Sequence, residues 1–349
     1  MQNLNEKKWD TFPIEAIFKV SGTLTTPPTE LVSDGFTPRI TCKATNNGLE
    51  YCYKNTPTEK GGVLTIDSAT IGSIFYQGYD FIATDHVEKI AFEKRIPLSL
   101  GLFFQVAITS SVADKYQYGY KFSQKRIAKQ TIFLPIDDLG NPNYEYMDQY
   151  VISKRGILLD RYKHFIKSEI ERLEYKEISS LSEKKFANFL LTDIFSKIQR
   201  GKRLKNADHV QGKTPYVSST AMNNGVDDYI TATEGTRTFN DCISLANSGS
   251  VGTAFYEPYA FVASDHVTGL KNSKFSKYVY LFLTTILEKQ KSNFNFNREI
   301  NDQRIKKLQV MLPVNDKNDP DYEFMEQYTK NLMLRKYNQY LEYLQKGNK

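Results

Sequence analysis

At 349 residues, 40% apolar and 13% aromatic, the chain is long enough for about two domains and too rich in core-forming side chains for intrinsic disorder. Forty-six Lys and Arg against 40 Asp and Glu leave +6, a mild basic surplus that suits nucleic acid without resembling a histone-like tail. Three cysteines exclude a disulfide framework, and Cys42 and Cys52 stand too far apart for a C-x-x-C metal unit.

Residues 1–10 are polar and lack the apolar stretch of a signal peptide. The most apolar segments, 96–108 and 279–287, fall well short of the roughly 20 residues that span a bilayer. A soluble, cytoplasmic protein with no membrane contact is expected.

Along the chain, β-type runs come first, at 14–20, 39–42, 62–66, 71–75 and 79–83. They are punctuated by Thr26-Pro27-Pro28, Asn46-Asn47-Gly48 and Gly61-Gly62, where Asn and Gly accept φ > 0. A helix is expected over 97–109, then a short strand closing the domain before Pro135. From 144 to about 178 there is no Pro, and Met147, Val151, Leu158, Tyr162, Phe165, Ile166, Ile170 and Leu173 recur mainly at three- and four-residue steps. That spacing predicts a long amphipathic helix, on the order of 50 Å at about 1.5 Å per residue.

The chain then says nearly the same thing again. Pro38 and Ala44-Thr45-Asn46-Asn47-Gly48 return as Pro215 and Ala221-Met222-Asn223-Asn224-Gly225, 177 residues on. Ala83-Thr84-Asp85-His86-Val87 returns as Ala263-Ser264-Asp265-His266-Val267, 180 residues on. Phe133-Leu134-Pro135 returns as Met311-Leu312-Pro313, and Asn141-Pro142-Asn143-Tyr144-Glu145 as Asp319-Pro320-Asp321-Tyr322-Glu323, both 178 residues on. A helix over 276–289 matches that over 97–109, and a second long helix starts at Tyr322, with Met325, Tyr328, Leu332, Tyr337, Leu341 and Leu344 on its stripe. So long a period is a duplicated domain, not a solenoid repeat. The copies agree at turn and core positions and diverge elsewhere (Arg39 faces Tyr216), as expected of two sites with one job and different targets.

The expected architecture is α+β. Two tandem domains with curved β-sheets or partial barrels occupy 1–142 and 181–318. Long helices over 143–180 and 319–349 pack against each other as an antiparallel coiled coil, giving a pseudo-twofold molecule.

This layout resembles the specificity subunit of Type I restriction–modification systems and, at this length, equally the recognition subunit of Type IIB systems. Leu191-Thr192-Asp193-Ile194-Phe195, Ile198-Gln199-Arg200-Gly201-Lys202 and Thr214-Pro215-Tyr216-Val217-Ser218 look like the start of a target-recognition domain, and Ile17-Phe18-Lys19-Val20-Ser21-Gly22-Thr23 is a weaker version without the basic residues. The resemblance implies that each domain reads one half of a split, asymmetric site in double-stranded DNA. It implies that the helices set the spacing and dock adenine-N6 methyltransferase subunits, which carry S-adenosylmethionine, and that a motor-nuclease subunit joins in Type I systems. The chain itself would perform no chemistry and hold no cofactor.

Base reading needs Arg, Lys, Asn or Gln at base edges, with further cations on phosphates. Between the helix and the closing strand the first copy offers Lys115, Gln117, Tyr118, Lys121, Gln124, Lys125 and Arg126. The second offers Asn295, Asn297, Arg298, Gln303 and Arg304. Arg200, Lys202 and Arg203 form a further cluster, better placed for phosphates. Asn46, Asn47, Asn223 and Asn224 have the chemistry to read adenine, although Asn-Asn-Gly more often makes a turn. Arg155, Leu158, Tyr162, Tyr337 and Leu341 on the long helices are candidate partner contacts.

Asp85-His86 and Asp265-His266 are the alternative chemistry, as general acid/base or metal ligands of a duplicated hydrolase or nuclease. Against it, no paired Ser or Cys nucleophile, His-Glu-x-x-His helix or repeated Asp, Glu and Lys set accompanies them. A methyltransferase's Asn-Pro-Pro-Tyr or Asp-Pro-Pro-Tyr motif is also missing. A structural role for these pairs is the expectation, with no metal site. A repeat-built protein-interaction module is the third reading.

Overall fold

The computed structural model describes residues 3–69, 72–113, 115–116, 119–233, 235–294 and 299–346. By compactness the chain divides into residues 1–162 and 163–349.

The first unit runs β1 (Trp9–Pro13), β2 (Lys19–Gly22), β3 (Thr37–Ile40), β4 (Leu49–Tyr53), β5 (Val63–Asp67), β6 (Ile74–Gln77), β7 (Ile82–Ala83) and β8 (Val87–Ala91). Then come α1 (Leu98–Val112), α2 (Gln124–Lys129), β9 (Thr131–Pro135) and α3 (Tyr144–Arg172), whose last turns belong to the second unit. Three sheets form: β2-β8-β5-β6, β4-β3-β7, and the pair β1-β9. All pairings are antiparallel except β3 with β7. Every residue of β5 is buried, Thr65 and Asp67 included, as befits a strand with partners on both sides, β8 and β6. The core under the four-stranded sheet joins Leu64, Ile66 and Ile90 to Phe104 and Ile108 of α1 and Met147 of α3.

The second unit repeats the plan with β10 (Phe186–Leu190), α4 (Leu191–Ile194), β11 (Lys197–Arg200), β12 (Gln211–Val217), β13 (Val226–Ile230), β14 (Thr238–Phe239), β15 (Cys242–Ala246), β16 (Ala254–Glu257), β17 (Phe261–Ala263) and β18 (Val267–Lys271). It ends with α5 (Lys277–Glu288), α6 (Asp302–Ile305), β19 (Gln309–Pro313) and α7 (Tyr322–Lys346). Its sheets are β11-β18-β15-β16, β13-β12-β17-β14 and β10-β19, so only β14 is added. Within each unit a hydroxyl–carboxylate clasp ties the domain to its long helix. Ser99 Oγ bonds Asp148 in the first, and Ser276 Oγ donates to Glu326 at 2.7 Å in the second.

The last turns of α3 pack on α7 within the second unit. Phe165 meets the Tyr337 ring edge-on at 6.5 Å, and Gln327 and Asn331 donate to the carbonyls of Glu174 and Lys176 at 2.9 and 2.7 Å. Mid-helix apolar residues on α3 are exposed, Leu158 at 62%.

Several boundaries differ from the sequence reading. Residues 14–16 form a 3-10 turn, because Pro13 ends β1 and Ile14 drops into the core; the strand starts only at Lys19. The strand read over 79–83 shrinks to Ile82–Ala83, since exposed Tyr79 and the Asp80 turn cannot pair. The strand read over 71–75 lies at 74–77; Ile71 is outside the described residues. Helix α3 stops at Arg172, six residues early, where the chain turns extended and is held by Gln327 and Asn331. The strands of each unit are divided among three small sheets. The Asn-Asn-Gly turns are found as expected, with φ of 53°, 56° and 74° at 46–48 and 50°, 54° and 75° at 223–225.

Candidate nucleic-acid interface

One edge of each unit gathers the end of β2 or β11, the Asp-His turn, and the short helix before the closing strand. In the first unit Phe122 is fully buried, while Ser123 offers its carbonyl to the first turn of α2. Ile127 is buried behind Arg126, so α2 sits with Gln124, Lys125 and Lys129 exposed and Arg126 half-exposed. Arg126 donates to the Lys121 carbonyl at 2.5 Å and lies 3.9 Å above the Tyr120 ring. That ring stacks on Tyr116 (5.6 Å, 5°), which stacks on Phe122 (4.3 Å, 23°). Burial pushes the Tyr116 hydroxyl up, keeping it neutral. Gln124 donates to Glu88 at 2.6 Å directly over Gly22, where an added Cβ would come within 3.2 Å of the Gln124 amide.

In the second unit Arg200 holds the position of Gly22, as the matching registers of β2 with β8 and β11 with β18 show. Its Nε donates to the Asp265 carbonyl at 2.5 Å and its Nη1 is 3.9 Å from Asp302, the counterpart of Gln124. Gly201 follows because a Cβ there would lie 2.1 Å from the Ser264 carbonyl. Lys202 donates to the Gly235 carbonyl at 3.1 Å; Arg203 is exposed. Asn301 caps α6 by accepting from the Gln303 and Arg304 amides. Arg304 repeats Arg126, donating to the carbonyl five residues back, Glu299, at 2.6 Å.

Lys115 and Lys121 are exposed beside this edge. Gln117, Tyr118, Asn295, Asn297 and Arg298 lie outside the described residues. Asn47 is exposed, but its amide is engaged, donating to the Tyr76 carbonyl (3.1 Å) and to Gln77 (3.3 Å). On the long helices Arg155, Leu158 and Tyr162 are exposed, whereas Tyr337 and Leu341 are half-buried.

The Asp-His turns use their backbones. The His86 carbonyl accepts from Ser68 N and Oγ, both at 2.9 Å, and the His266 carbonyl from Asn247 N at 2.8 Å. The side chains stay more than half exposed, 3.6 Å from Asp85 and 4.0 Å from Asp265. Ser248, a neighbour that no sequence motif singles out, bonds His266 Nδ1. It is buried, its counterpart Ala69 has no hydroxyl, and the Asp265 carboxylate is beyond hydrogen-bond reach, so the three do not make a nucleophile-activating relay. Among the described residues no three His, Cys, Asp or Glu side chains gather as a metal site, and no helix is long and apolar enough to cross a membrane.

A family model described as "Type I restriction modification DNA specificity domain" matches residues 6–158 and again 183–342. The chain is 31% identical over 329 residues to the "Type II restriction enzyme BgcI specificity subunit S.BcgI" of Heyndrickxia coagulans, covering 92% of this chain and 93% of that one. Among solved structures it is similar to a Type-I restriction-modification S subunit from M. genitalium, at 14% identity and a TM-score of 0.46 over 99% of this chain and 94% of that one. It is also similar to the HsdS subunit from Thermoanaerobacter tengcongensis, at 11% identity and a TM-score of 0.34 over 98% and 92%.

Proposed function

Because the chain belongs to the Type I restriction–modification DNA specificity domain family, with one domain in each half, we propose that it is the DNA-reading subunit of a restriction–modification complex. Each domain recognises one half of a two-part target. The helices that follow them, α3 of about 44 Å and α7, set the gap and dock adenine-N6 methyltransferase subunits. The chain does no chemistry of its own; S-adenosylmethionine belongs to the partner, and a motor-nuclease subunit joins only in a Type I arrangement. The full-length similarity to a Type II specificity subunit favours the Type IIB arrangement.

One observation carries this reading. Two domains of one topology bear different groups at the same edge: Gly22 with Gln124 in one, Arg200 with Asp302 in the other. A shared scaffold with unlike edge groups serves two different half-sites. Co-expression with the methyltransferase subunits, followed by methylome sequencing, should reveal one asymmetric two-part motif. A contiguous motif, or no methylation, contradicts the reading.

A further inference from the structure

Arg126 and Arg304 share a backbone anchor but not their surroundings. Among the described residues, Arg126 alone tops an aromatic ladder, which descends through Tyr120 and Tyr116 to buried Phe122. At the positions of Tyr120 and Phe122 the second half of the chain has Arg298 and Ile300, neither of which is aromatic.

A ring beneath a guanidinium and a carbonyl on one of its edges together fix the plane of the group. A phosphate, approachable from many directions, needs no fixed plane. The O6 and N7 of guanine do, because both acceptors lie in the plane of the base and are met by two donors of one guanidinium fork. Nη1 is engaged by the Lys121 carbonyl, which leaves the other N–H groups of Arg126 to meet a ligand, and Lys115, Lys121, Lys125 and Lys129 are cations of the same short stretch of chain.

We propose that Arg126 reads a guanine in the half-site recognised by the first domain, and that Tyr120 is its positioning residue; this rests on the DNA-reading function above. The test is the methylome of the complex carrying Arg126→Lys, Arg126→Ala or Tyr120→Leu. Lysine keeps the charge but not the planar fork. Arg126→Lys should lower the preference for guanine at one position of one half-site by about tenfold or more, leaving the other half-site intact. Tyr120→Leu should relax the same position to a smaller degree, a readout that a merely structural tyrosine would not move. If Arg126→Lys leaves the motif unchanged while Arg126→Ala weakens binding to all sequences alike, Arg126 is a phosphate contact and the proposal falls. If Tyr120→Leu leaves that position untouched, the positioning role falls. A wild-type complex that marks no two-part motif defeats the underlying reading instead.

Discussion

Ser244 Oγ donates to Glu257 Oε1 at 3.0 Å, while Oε2 of this wholly buried carboxyl makes no hydrogen bond. In the first unit the same place holds Gln77, whose amide donates to Thr65 Oγ1 and the Asn47 carbonyl at 2.9 and 3.1 Å. Burial pushes the Glu257 carboxyl up, more than the Tyr259 and Ser244 hydroxyls pull it down. A folded-state pKa raised above the unfolded one gives stability that is complete below the ordinary glutamate range and is lost as pH rises through the folded value. Glu257→Gln should therefore raise stability by about 1 kcal/mol at neutral pH and flatten its decline with pH. Thermal melts between pH 5 and 9 check both; a variant less stable than wild type at pH 8 contradicts the assignment.

Gly101 in α1 faces the Tyr76 ring, and a Cβ there would sit 2.1 Å from it. In the second unit Tyr280 holds this position and stacks with Tyr256 at 5.1 Å. Alanine in a helix interior normally gains about 0.5–1 kcal/mol over glycine, but forcing a group into a packed core costs about 1–3 kcal/mol. Steric cost wins, and Gly101→Ala should lower stability in urea denaturation, with a smaller midpoint and an unchanged slope.

Residues 155–161 of α3 include the exposed Ile157 and Leu158 and make two helical turns. Deleting all seven shortens the helix by about 10 Å while preserving its face. The gap between half-sites should shrink by about three base pairs, at about 3.4 Å per pair, with both half-sites unchanged. A methylome with an unaltered gap counts against the helix as spacer.

Lys125 and Arg203 are exposed cations on the two candidate edges. If both meet phosphates, DNA affinity falls steeply between 50 and 200 mM salt, and each alanine substitution reduces the log–log slope by about 1 without changing the motif. Affinity indifferent to salt would favour the protein-interaction reading.

The duplication, the long helices and the Asn-Asn-Gly turns were legible because each depends on local chemistry or spacing. Trp9–Pro13 was not, since a strand whose partner β9 lies 118 to 126 residues later in the chain carries little local signal. The Tyr116–Tyr120–Arg126 stack, the pairing of Gly22 with Gln124 and of Arg200 with Asp302, and the bonds of the Asn47 amide to Tyr76 and Gln77 are tertiary facts. The sequence supplied Arg126, Arg200 and Gln124 as candidates; only packing shows that Glu88, Asp265 and Asp302 hold the last two.

The most direct measurement of independent reading by the two domains is the methylome of a complex whose residues 115–129 are replaced by unrelated sequence of equal length. The account predicts a changed first half-site beside an untouched second one at the same spacing. Simultaneous loss of both half-sites from a folded complex would contradict it.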